Sequence, residues 1–357
     1  MSYILKLLAP ENVTAYWEKE KEMQDYLGNT FFPAVKTGKL TLRHLRGASG
    51  YPVVLEPSAF DAKPNLRGRK GFTRVEHDMP FFREAMQVKE KDLMDLHSAV
   101  TSSDKDTARF IVEHIYDDVG QLKRGALARI EQMKWDIIQT GGFVAEASSE
   151  HGRDALYEFS YDPDGTWKTN NVVELTGTST WDNHDSSDPI ADIQAVLRTA
   201  KAKNTTISEI VLNSETLNDI LSNELASILL NPQGVFMVDD ELKSSIEKKL
   251  NVKFIVYDDQ FGFLEDGVEK TEYFLKTGKV IFKPAGAVGR FIFGVTPEEI
   301  GVIQSPHSQK TIFNTGITLV QYQESSSVVN NFFNVSFLGM PDFQQMDKVY
   351  ILETREA

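Results

Sequence analysis

Residues 104–142 read DKDTARFIVEHIYDDVGQLKRGALARIEQMKWDIIQTGG, and their periodicity decides the fold. Ile111, Ile115, Val119, Leu122, Ala126, Ile130, Met133 and Ile137 recur at steps of three or four residues. That spacing lays them in one stripe along an α-helix. Ser103 with Asp106 resembles a capping box, and Gly141-Gly142 is a stop signal. At 1.5 Å per residue the predicted helix, 104–140, is roughly 55 Å long. The usual helix has ~11–12 residues. Gly120 and Gly125 lie inside it and cost about 1 kcal/mol each relative to alanine, which predicts a bend or a close contact there. A helix of this length needs a partner along its whole stripe, so it reads as a structural spine.

On the N-terminal side, PENVTAYWEKEKEMQDYLG (10–28) predicts a helix that Pro10 and Asn12 start and Gly28 ends. Strand-like LTLRHL (40–45) and YPVVLE (51–56) follow, in a stretch rich in Gly, Pro and charge that runs to about Arg74. So long an extended excursion is uncommon inside a compact domain and is easier to understand if it packs on another subunit.

On the C-terminal side the pattern turns to β. FVAE, LYEFSY and TWKTNNVVEL predict strands, with Asp162-Pro163-Asp164-Gly165 as a hairpin signal. From Asp188 the texture is α/β. Asp188 and Pro189 start an amphipathic helix, EIVLN (209–213) is a buried strand, and helices are predicted at about 214–230 and 240–249. FIVYD, FGFLED, EYFL and KVIFKP form a run of short strands, and roughly 110 residues here suit a second domain. EEIGVIQS, ITLVQY, NFFNVSFLG and KVYILETR predict closing strands.

The chain has 357 residues, enough for about two compact units. Its 41% hydrophobic residues suffice for a core. No stretch approaches the ~20 apolar residues of a membrane span. The apolar run in MSYILKLLAPENVT is too short for a secretory signal, which predicts a cytoplasmic product. There is no cysteine, so disulfides, thiolate zinc sites and cysteine nucleophiles are excluded, and covalent reinforcement would need another chemistry.

The net charge of −14 argues against a generic nucleic-acid binder. It is unevenly spread. Between Lys36 and Arg74 nine basic residues face two acids, so that stretch carries +7 and the rest of the chain −21. A basic arm on an acidic body can attract copies of the same chain. Lys63, Arg67, Arg69, Lys70 and Arg74 are therefore the candidate subunit-interface residues.

Signals for chemistry are weak. The histidines (His44, His77, His97, His114, His151, His184 and His307) form no metal-ligand pair, and His77-Asp78 and His184-Asp185 are sequence neighbours that point to different faces of a strand. Lys276-Thr277-Gly278-Lys279 lacks the rest of a phosphate loop and reads as a turn. Asp258-Asp259 and Glu265-Asp266-Gly267 fail the EF-hand spacing. The run Asp182, Asp185, Asp188 and Asp192 reads as a solvated face plus a helix cap. No catalytic, cofactor or metal residues are expected, and an enzyme of unknown type is a distant alternative.

The order of features resembles the Hong Kong 97-type capsid fold, and the residues resemble the lambda-type major capsid protein E family. Leu27-Gly28-Asn29-Thr30-Phe31-Phe32-Pro33 is similar to that family's "LG…LFP" at the start of its arm. Ala59-Phe60-Asp61-Ala62 and Arg69-Lys70-Gly71-Phe72 resemble its extended loop. Pro80-Phe81-Phe82-Arg83-Glu84 resembles "P-x-I-K-E", with Phe82-Arg83 departing from the usual pair. Trp181, Pro189 and Asp192-Ile193 match "W…P…DI", and Phe293-Gly294-Val295-Thr296-Pro297-Glu298 resembles "YG-x-T-P-E". Met340-Pro341-Asp342-Phe343 is only loosely similar to the family's ending.

The resemblance implies an α+β fold with an N-terminal arm (1–35), an extended loop (36–80), a P-domain with the spine helix (81–187), an A-domain (188–292) and return strands (293–357). It implies a head protein that self-assembles as hexamers and pentamers into the icosahedral shell around a tailed-phage genome, within the host bacterial cytoplasm. Implied partners are a separate scaffolding protein (no long leader precedes the arm), a portal and a decoration protein. Packaged DNA would meet only the inner face, non-specifically, and no membrane or cofactor is involved. An encapsulin-like compartment shell is the alternative.

Overall fold

The computed structural model describes residues 11–13, 15, 25–46, 73–102, 105–147, 155–223, 239–265, 268–301, 309–325 and 329–356. The chain forms two compact units. The first draws on the described parts of Met1–Leu42, His77–Lys134 and Arg290–Asp342, and the second on those of Arg43–Glu76, Trp135–Gly289 and Phe343–Ala357. The predicted spine is one helix, Lys105–Thr140. Ile115, Val119, Leu122, Ile130, Met133 and Ile137 of its stripe are buried. It stops at Gly141, whose φ of +77° is left-handed, and a Cβ there would sit 2.9 Å from Met346 Cε. Gly125 has open space around it, so the close contact expected at that glycine is absent.

In the first unit a six-stranded sheet is built around the fourteen-residue strand Val329–Asp342. One edge of that strand pairs antiparallel with Ile317–Ser325, which pairs in turn with Gln309–Phe313. Its other edge takes Phe81–Val88 along one length and Arg290–Phe293 along the next. Ala34–Lys36 adds to Arg290–Phe293 in parallel. The two-residue period puts Phe333, Val335 and Phe337 on one buried face, with Phe82 stacked on Phe337 at 4.8 Å. Long side chains seal the spine to the sheet, with Lys123 over the Phe313 ring and Arg129 over Phe82.

The second unit holds a mixed five-stranded sheet in the order Val172–Glu174, Tyr350–Glu353, Lys279–Lys283, Glu209–Leu212, Lys253–Val256. The outer pairings are parallel and the two inner ones antiparallel. Its core joins Trp181, Ile193, Ile210, Ile246, Phe254, Phe282 and Tyr350. Asp188 caps the helix Pro189–Ala202 by accepting from Ala191 N–H, and Asn213 caps Ser214–Leu221 by accepting from Thr216 N–H. The predicted helix at 240–249 is Asp239–Leu250. The predicted α/β stretch thus gains strands from both sides of itself, including the chain's last strand.

Three expectations are corrected. Gly28 does not end a helix but opens the short helix Gly28–Phe31. TWKTNN is a helix, Thr166–Asn171, not a strand after a hairpin. The Asp162 carboxylate accepts from Trp167 and Lys168 N–H at 2.8 Å each, which satisfies the orphan donors of a helix start. The EEI of the expected strand 298–305 is a one-turn helix, Pro297–Ile300, because Thr296 accepts from Glu299 N–H and Pro297 suits the first turn. The strand predicted at 51–56 lies outside the described residues.

Candidate subunit-contact surfaces

The arm meets the spine through buried charge. The helix Gly28–Phe31 has no side-chain cap of its own. Gly28 N–H instead donates to Glu131 Oε1 at 2.8 Å, and Glu131 is fully buried. A Cβ at position 28 would lie 2.4 Å from Glu131 Oε2, so any other residue would push the carboxylate out of this position. Lys134 Nζ donates to Asn29 Oδ1 at 2.6 Å and lies 3.4 Å from Glu131 Oε2, with the Phe291 ring centroid 5.8 Å away. Burial lowers the Lys134 pKa, and the charges of Glu131 and Asp25 oppose that shift. A cleft of about 460 Å³ opens here, lined by Asn29, Phe32, Ile130, Lys134, Phe291 and Phe293.

Past this junction the chain runs as Ala34–Lys36 along the edge of the sheet, and all three of its residues are exposed. Lys36, the first basic residue of the charged stretch, finds its acid within the chain, bonding Glu299 at 2.6 Å. Thr41–Arg46 and Thr73–Asp78 then form a two-stranded ribbon, with Met79 N–H on Leu40 O at 3.0 Å beside it. Arg43 and Arg46 lie on one strand and Arg74 on the other. Lys63, Arg67, Arg69 and Lys70 lie outside the described residues, as does the Arg74 side chain.

Other first-unit surfaces look unfinished. Phe110 near the start of the spine is 70% exposed, and Met94 on the preceding helix, Glu90–Thr101, is 67% exposed. Among the described residues Gln309–Phe313 forms an edge of the sheet, with Ile312 exposed. Gln321 Nε2, Asn331 Oδ1, Asn334 Oδ1 and Ser336 Oγ are buried without a hydrogen-bond partner among the described residues. Such atoms normally have one. Buried Glu298 is paired with Arg83.

Residues weighed for chemistry have structural roles. Asp188 is the helix cap, and Asp192 accepts from Trp181 Nε1 at 3.0 Å. His184 approaches Asp219 at 3.4 Å, while Arg355 holds Asp219 through two bonds of 3.0 Å. Lys276–Lys279 is the expected turn, with Lys279 N–H on Lys276 O. Among the described residues no group of three His, Cys, Asp or Glu could hold a metal ion. None is a helix long and apolar enough to cross a membrane. Sequence reading missed Glu131 and Lys134. Their signal was position, since both flank the apolar stripe beside Ile130 and Met133.

A long helix packed on a mainly antiparallel six-stranded sheet, a two-stranded ribbon and a mixed-sheet second unit are the mixed helix-and-strand pattern of the Hong Kong 97-like capsid fold. A crystal structure assigned as the capsid protein of an Escherichia coli CFT073 prophage is similar, with a TM-score of 0.57, 13% identity and coverage of 97% of this chain and 99% of that one. A phage-related protein of Bordetella bronchiseptica RB50 is similar with a TM-score of 0.50, 13% identity and 97% of each chain covered. No curated protein matches the chain. The family model of phage major capsid protein E matches residues 10–306, and the chain belongs to that family. It is a shell-forming component of a phage capsid.

Proposed function

We propose that the chain is the repeating unit of an icosahedral tailed-phage head, assembling as pentamers and hexamers in the host cytoplasm around a separate scaffolding protein and a portal. The observation that carries this is the first unit, where among the described residues Gln309–Phe313 is an unpaired sheet edge, Phe110 is exposed and several buried polar atoms have no partner. The arm is 1–35, the extended loop 36–80, the P-domain 81–187, the A-domain 188–292 and the return strands 293–357. Lys63, Arg67, Arg69, Lys70 and Arg74 lie across a neighbouring subunit and pair with its carboxylates. Each exposed pair is worth only ~0.2–1 kcal/mol, so the clamp works by number and repetition. Arginine suits it because its fork binds a carboxylate through two bonds. The acidic net charge limits DNA to weak contact at the inner face. The chain's role is structural, without catalysis on other molecules. Negative-stain microscopy of the overexpressed protein, with and without its scaffold, tests the reading. Closed shells support it, and a monomer at high concentration with scaffold supplied contradicts it.

A further inference from the structure

We propose that Lys134 and Asn29 join in an intrachain amide bond that the protein forms by itself, with Lys134 as nucleophile, Asn29 as electrophile and Glu131 as proton acceptor. Four features of the arm–spine junction carry the proposal. The Lys134 amine is already at the Asn29 carboxamide, 2.6 Å from Oδ1. Its side chain is only 2% exposed, with the Phe291 ring over the amine on the wall of the cleft, so few solvent contacts compete for it. Burial favours the neutral amine, which is the form that attacks a carbonyl. The Glu131 carboxylate, wholly buried and fixed by Gly28 N–H, stands 3.4 Å from Nζ.

The step is an exchange of one amide for another. Lys134 Nζ bonds to Asn29 Cγ, and the carbonyl becomes a tetrahedral oxyanion. Glu131 takes the proton that Nζ sheds. The Cγ–Nδ2 bond then breaks, and the departing nitrogen takes up that proton and leaves as ammonia. The Asn29 Nδ2 hydrogen bond to Asp25 Oδ1, at 3.2 Å, orients the leaving group. Asn29 is exposed and lines the cleft, so ammonia can escape. No oxidant, metal or cofactor is consumed. The product would weld the arm to the spine in a chain that has no cysteine. It also stays inside one subunit, so it adds no covalent ladder between subunits.

The test is the intact mass of the denatured full-length chain. The expected mass is one ammonia below the sequence mass, with a tryptic digest that joins the peptide carrying Asn29 to the one carrying Lys134. Lys134→Arg and Asn29→Ala should each show their full sequence mass. Asn29→Ala alters an exposed side chain, so its circular dichroism should match the parent. Glu131→Gln retains an acceptor for Gly28 N–H but no base, and should slow the loss about 10²-fold or more. A parent chain at full mass after long incubation at neutral pH overturns the proposal. So does an ammonia loss that persists in Lys134→Arg, which would mark cyclisation at Asn29 alone.

Discussion

The two units treat buried polar groups differently. In the second unit Asn223 Nδ2 donates to His184 O and to both the carbonyl and hydroxyl oxygens of Ser187. Asn171 Nδ2 serves Asp347 O and Val349 O, and Gln139 bonds Trp135 O, Phe274 O and Lys276 N–H. In the first unit Gln321, Asn331, Asn334 and Ser336 bury atoms with no partner among the described residues. Leaving a buried donor or acceptor unmade costs about 1–3 kcal/mol. In the second unit only Tyr350 Oη is so placed among the described residues, so unmet polar atoms concentrate in the first unit, as expected if neighbours complete it in the proposed shell.

The largest expected effect breaks the proposed contacts of the charged loop with neighbouring subunits. Charge reversal at Arg67→Glu with Arg69→Glu should abolish or misdirect shell closure while the unassembled subunit keeps its circular dichroism and melting temperature. Normal shells, or an unfolded subunit, would remove the loop from the list of inter-subunit clamps. Assembly should also weaken at low pH, where the partner carboxylates protonate.

Inside the first unit, Gly28→Ala forces a methyl against Glu131 Oε2. Overpacking of this kind costs about 1–3 kcal/mol. Limited proteolysis should show the arm released while the second unit resists cleavage.

Inside the second unit, Arg355→Ala removes both charged hydrogen bonds of the buried Asp219 carboxylate and leaves it, among the described residues, only His184 at 3.4 Å. Loss of one partner from a buried pair is strongly destabilising, but Arg355 is a third exposed, so about 2 kcal/mol is expected in denaturant unfolding. Asp188→Ala removes a helix cap and should cost about 1 kcal/mol.

The smallest effect is a pH response. Burial raises the folded pKa of Asp192 above its ordinary 3.8, against the opposing Trp181 hydrogen bond. The unfolded chain therefore gives up this proton first as pH rises. The penalty is absent below the ordinary value and fully present above the folded one. Asp192→Asn keeps an acceptor for Trp181 and should flatten the stability profile of the second unit across that window.

The spine was legible because a single helix face repeats over about seven turns, from Ile111 to Ile137, far longer than a chance match. Asp188-Pro189 was legible because a cap is local chemistry. TWKTNN was not, because apolar alternation looked like a strand while the deciding group, the Asp162 carboxylate, acts across five residues. The EEI turn failed for the same reason, through Thr296 and Pro297. Tyr350–Glu353 read correctly as a strand, but its place between Val172–Glu174 and Lys279–Lys283 depends on pairing across many residues. The junction of Gly28, Asn29, Glu131 and Lys134 was hidden because charged residues beside an apolar stripe read as its solvated border.

Amide hydrogen exchange, compared between unassembled subunit and assembled shell, tests the central claim most directly. Gln309–Phe313, an edge strand of the first sheet, should exchange quickly in the subunit and gain protection in the shell, while the doubly paired Val329–Asp342 and the second-unit strands Glu209–Leu212 and Lys279–Lys283 should be protected equally in both. Full protection of Gln309–Phe313 before assembly would contradict the account.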